Sequence, residues 1–134
     1  MKKTIVLPAM LALGFAVCLV AQSEADYQGW MKDVAATKGK AKKDMEAKQN
    51  ADVATDAERL SGLFGKVAAF WAGRSVSDAE SIAKNAEAAS KDLAVAAKAG
   101  DDAKMASAMQ TVNGACGMCH MAHREGSPGS FKIK

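Results

Sequence analysis

The chain has 134 residues, with 18 Lys and Arg against 15 Asp and Glu, two Pro, and only one Tyr, two Trp and four Phe. That length suits one domain, and the near-balance of charge gives no reason to expect nucleic acid as a partner. The abundant Ala, Lys, Glu and Met favour helices over a sheet, because these side chains lose little freedom in a helix, while the scarcity of rings leaves the peptide short of large groups for a core.

Residues 1–25 read as a secretory signal peptide. Lys2 and Lys3 give a positive start, Ile5 to Val20 is apolar or small, and Ser23-Glu24-Ala25 places small residues at the two positions a signal peptidase inspects. An uncleaved anchor is the alternative, but the apolar run is short for a membrane span of about 20 residues. Cys18 follows Phe15-Ala16-Val17 rather than the small residue a lipoprotein signal would carry before its Cys, so it reads as an ordinary member of the apolar run. Removing residues 1–25 takes away Lys2, Lys3 and Glu24 and leaves 109 residues with a net charge of about +2. An exported, periplasmic location with no membrane span after cleavage is expected.

Four helical segments follow, forming a domain over 26–125. The first repeats Tyr27, Met31, Val34, Lys38, Ala41 and Met45, and the second Leu60, Phe64, Val67 and Trp71. The third repeats Ile82, Ala86, Ala89, Leu93 and Ala96, and the fourth Met105, Met109, Val112, Cys116 and Cys119. Steps of four and three put one apolar stripe on each helix, as in left-handed bundle packing. Thr55-Asp56-Ala57-Glu58 and Ser77-Asp78-Ala79-Glu80 match the capping box at a helix start. Gly73 and Gly100 stand where left-handed residues end helices, and Asp101 is placed to cap the last helix. Connections this short make successive helices antiparallel neighbours. The expected fold is therefore all-α, an antiparallel up-down four-helix bundle, followed by an irregular Gly-, Ser- and Pro-containing tail over 126–134. Lys38 interrupts the first stripe, and the many Ala positions either pack closely or leave room for something planar.

Cys116-Gly117-Met118-Cys119-His120 is the C-x-x-C-H arrangement of c-type haem attachment. At about 100° per residue the three side chains fall within an arc of roughly 100° on a helix, so two thiols can bond the haem vinyl groups while the imidazole faces iron as proximal ligand. Both cysteines continue the buried stripe, which directs one covalent haem c into the bundle. Two other readings of these residues stand beside it. One is a Cys116–Cys119 disulfide with His120 incidental; the other is zinc, with His123 completing four N/S ligands, although all four would crowd one face of one helix.

A four-helix mature chain with C-x-x-C-H near its C-terminus and Arg124 four residues after His120 resembles class II cytochromes c, the cytochrome c′ family. The likeness of layout covers the mature chain, while Cys116, Cys119, His120 and Arg124 are the specific matches. His123 stands where the family usually has Phe or Tyr, and the connections are shorter than usual. The resemblance implies that the first helix faces the distal side of the haem. There the stretch Trp30-Met31-Lys32-Asp33 is similar to the one in which low-spin members place an axial Met, making Met31 the candidate distal ligand. It also implies a periplasmic one-electron carrier docking redox proteins, with dimers common, or alternatively a five-coordinate protein binding nitric oxide or carbon monoxide.

The remaining residues have plainer expectations. Arg124 either contacts the haem propionates or the proximal imidazole, or is a solvated cation favoured at a helix end. His123 shares a helix with His120 and belongs at the surface or haem edge rather than on iron. The run Lys38-Gly39-Lys40-Ala41-Lys42-Lys43 reads as a solvated face, or more sharply as a patch steering acidic partners. Trp30 and Trp71 are expected to pack on the haem or in the core rather than relay electrons, and Met105 and Met109 belong to the core stripe of the fourth helix. No second cofactor motif appears, and the first helix lacks the His and Arg that peroxide chemistry would need, so carriage rather than enzymatic turnover is expected.

Overall fold

The computed structural model describes residues 22–134; the expected leader falls, as far as residue 21, outside the described residues. Four helices follow in order, α1 over Glu24–Glu46, α2 over Asn50–Gly73, α3 over Ser77–Ala99 and α4 over Asp102–His123. They pack in sequence, α1 on α2, α2 on α3 and α3 on α4, with the α2–α3 interface the most extensive. The all-α, up-down arrangement read from the stripes is thus present. None of the described helices is long and apolar enough to cross a membrane.

Helix boundaries depart from the sequence reading in instructive ways. α1 is capped by Ser23, whose Oγ accepts from the Asp26 amide at 3.1 Å while the Asp26 carboxylate accepts from the Ser23 amide at 3.2 Å, a reciprocal box. α2 begins at Asn50, before the box expected at Thr55, and the Thr55 hydroxyl instead donates back to the Ala51 carbonyl at 3.1 Å. Burial of Val53 and Ala54 against the far helices is the reason: their packing extends the helix N-terminally past its best local cap. Ser77 likewise lies inside α3 and caps nothing. Ser75 (φ 58°), not Gly73, takes the left-handed turn after α2. Gly100 (φ 67°) ends α3 as expected, and Asp101 caps α4 by accepting from the Lys104 amide at 3.0 Å.

The tail is not wholly irregular. Arg124–Glu125 (β1) and Lys132–Ile133 (β2) pair antiparallel, Arg124 opposite Ile133 and Glu125 opposite Lys132. Gly126 makes the turn possible, since its φ of +92° is left-handed and a Cβ there would stand 2.6 Å from the Ser130 carbonyl oxygen.

Packing divides the bundle along its length. At one end Ala41, Val53, Ala57, Leu93, Met105 and Met109 form a closed core. Val34, Leu60, Phe64, Ala86 and Val112 form the middle. Tyr27, Phe70, Trp71, Ala79 and Ala83 occupy the other end, with Tyr27 and Phe70 ring centroids 4.5 Å apart. The basic run is not one solvated face: Ala41 is fully buried, and Lys40 bridges two buried carboxylates, Asp44 at 2.7 Å and Asp56 at 3.0 Å, tying α1 to α2. These ion pairs raise the Lys40 pKa, chiefly through the hydrogen bond to Asp44.

Leu93 is completely buried in the closed end. Leu93→Ala is expected to cost about 3 kcal/mol in a denaturant melt while leaving the packing around Tyr27 and Trp71 at the opposite end, read from the near-UV circular dichroism of those rings, unchanged.

Candidate cofactor site

α1 and α4 are not among the extensively packed helix pairs, and between them, at the end away from Leu93, lies a cavity of about 650 Å³. Its size is that of pockets holding medium-sized organic ligands. Met31, Val34, Ala35 and Lys38 of α1 form one wall, and Ala115, Cys116, Cys119 and His120 of α4 form the wall shared with them. Phe64 and Val67 of α2 and Ile82, Ala83 and Ala86 of α3 close its base. The alanines matter here, because a methyl at each of these helix positions leaves the space that a larger side chain would occupy.

The α4 stripe explains how the motif comes to face this space. Met105, Met109, Val112 and Ala115 are buried along one side of α4, and Cys116 and Cys119 continue that side as half-buried residues where the bundle opens. Both thiols are free, so no disulfide joins them. Burial pushes the pKa of each thiol up; the nearby Lys38 cation opposes the shift at Cys116, and Cys116 itself adds to it at Cys119. Burial pushes His120 down, assisted by Arg124 and Lys38. All three groups are therefore biased to their neutral forms, as a low-dielectric setting requires.

The lining is apolar in body but has Lys32, Lys38, Arg124 and Lys132 and no Asp or Glu. Lys38, the residue that interrupts the α1 stripe, points its charge at this site and has no ion-pair partner among the described residues. An apolar space bounded by cations alone matches a ligand with a flat apolar body and carboxylate groups. Haem has that chemistry, and two thiols with an adjacent neutral imidazole supply its attachment and ligation, so the residues present fit the group.

The expected site residues are brought together: Cys116, Cys119, His120, Met31 and Arg124 all line the one cavity. The Arg124 guanidinium lies over the Phe131 ring at 3.9 Å, so this helix-end cation is neither simply solvated nor committed to a carboxylate. His123 Nε2 lies 2.8 Å from Asp78 Oδ2, and its ring packs 5.2 Å from Trp71. That bond holds the Asp78 carboxyl below its usual range. Among the described residues no three His, Cys, Asp or Glu side chains are gathered as a metal set, and His123 is turned to Asp78 instead. Trp71 is a core residue and Trp30 is half-buried against the same cluster, and neither lines the cavity. The tail, in contrast, contributes Phe131, Lys132 and Ile133, which no helical periodicity could have indicated. No family model, curated protein or solved structure matches the chain.

Tyr27 lines the same cavity, and burial, with Cys119 adding to it, pushes its phenol up to about 12 from 10.0. The folded state thus favours the neutral phenol. Its contribution is fully present below pH 10 and is lost as pH rises toward 12, on the order of 2 kcal/mol for a shift of this size. Tyr27→Phe is expected to flatten the decline of unfolding free energy between pH 10 and 12, measured by denaturant titration at each pH. An equally steep decline in the variant would show that Tyr27 does not titrate this way.

Proposed function

We propose that this protein is an exported monohaem c-type cytochrome, akin to class II cytochromes c, that carries one electron at a time between redox proteins. The observation that carries the reading is the placement of Cys116, Cys119 and His120 on one wall of an apolar, cation-bounded cavity that Met31 also lines. A bound haem would supply one-electron chemistry. The chain's part would be to hold and insulate it. Cys116 and Cys119 would tether it, and His120, kept neutral by burial, would offer a ring nitrogen to the iron. Met31, on the facing helix, would offer a thioether. Lys32, Lys38, Arg124 and Lys132 balance carboxylate charge and present a positive surface to acidic partners, whose encounter complementary charge accelerates. Axial ligands and burial would set the potential.

The test is the exported protein made with haem-attachment machinery. Mass spectrometry is expected to show one added haem, lost in the Cys116→Ala, Cys119→Ala double variant; a bare peptide mass in the wild type would refute the reading. His120→Ala is expected to keep the haem attached and change the visible spectrum. Ferric wild type is expected to be low-spin, and Met31→Ala to convert it to high-spin. A high-spin wild type would remove Met31 as ligand and favour the five-coordinate, gas-binding alternative. The rate of electron transfer to an acidic partner is expected to fall as ionic strength rises.

A further inference from the structure

The C-terminal segment after α4 crosses the open side of the bundle. β1 and β2 fold it back on itself, and the Lys134 amide donates to the His123 carbonyl at 3.1 Å, anchoring it to α4. On the other side the Gln28 amide Nε2 donates to the Phe131 carbonyl at 3.3 Å, and Ile133 packs against the α1–α2 cluster around Tyr27 and Trp71. The segment is therefore attached to both α1 and α4, the helices that border the cavity. Gly129, Phe131, Lys132 and Ile133 face the cavity that holds Cys116, Cys119 and His120. Phe131 and Ile133, with Lys132 between them and Arg124 in cation–π contact with Phe131, give this wall apolar and cationic groups together.

From this geometry we infer that residues 126–134 are a strap forming the fourth wall of the cofactor site, with Phe131 and Ile133 as cofactor-contacting residues and Lys132 as a cation for a cofactor carboxylate. The inference rests on the haem reading above. The strap bridges α1 and α4 at the cavity, would exclude water from that edge of a bound haem, and so would favour the less charged ferrous state. Removing it exposes the edge and favours the ferric state.

Two variants of the exported, haem-loaded protein test this: a chain ending at Glu125, and Gly126→Ala, which forces a side chain onto a left-handed residue and against the Ser130 carbonyl. Both are expected to retain covalent haem and to show a lower midpoint potential than wild type, with the larger shift in the truncated chain. An unchanged potential in the truncated chain overturns the strap. A lowered melting temperature with an unchanged potential does so too, since it would make the tail a brace of the bundle alone. Should the truncated chain fail to accumulate, Gly126→Ala decides by the same criterion. Wild type lacking haem would overturn the haem reading and the strap with it, whereas haem present in all three with equal potentials overturns the strap only.

Discussion

The separation of α1 from α4 is the constraint on which the rest of the structure depends. The three sequential pairs make the extensive contacts, while α1 and α4 share the clusters of Ala41 with Met105 and of Val34 with Val112 and border a cavity between Met31 and Cys116. The space between them, about 650 Å³, opens to solvent, with the exposed Lys32, Arg124 and Lys132 among its lining residues. Its apolar lining is a poor host for water, and its cations and thiols are an odd lining for an empty gap. The closed end makes the opening affordable, since Leu93, Val53 and Met105 are fully buried there and hold α4 in register while its last turns face the cavity.

Electrostatics at the open end follow from the same absence of packing. Burial is the first cause of the shifts at Cys116, Cys119, His120 and Tyr27, and in each case it favours the neutral form. Lys38 and Arg124 act in one direction on His120, keeping a proton off the imidazole. A cation within an apolar stripe would be a fault in an ordinary core, because a buried charge must be paired. Here it borders a cavity whose lining holds no carboxylate, so on the proposed reading its partner would be a carboxylate of the ligand.

Much of this was legible in the sequence, and what was not has physical causes. The four stripes give the helices, because burial repeats at steps of four and three over long segments. The motif gives the site, because Cys116 and Cys119 continue the stripe of Val112. Lys38 is visible as an interruption, though nothing local says what it faces. The N-terminus of α2 was misplaced because the cap at Thr55 is a local preference, and burial of Val53 outweighs it. The partnership of His123 with Asp78 and Trp71 joins three helices, so no spacing within one helix records it. The strap escaped for a different reason: each paired segment is two residues long, too short for alternation to register.

The start of α1 shows how these contacts depend on one another. Ser23 caps the helix, yet the processing site read from the sequence lies after Ala25, within the first turn. Cleavage there would remove the cap and place a positive amino group at the helix N-terminus, where the macrodipole disfavours it. The loss falls on residues 24–26, which are exposed. Tyr27 is the next residue, buried against Phe70 and edge-on to Trp71, and burying a ring stabilises a helix end independently of any cap. One turn later stands Met31. The helix can therefore lose its first turn and still keep Gln28 against the strap and Met31 at the cavity, because tertiary packing rather than capping fixes α1 at that end.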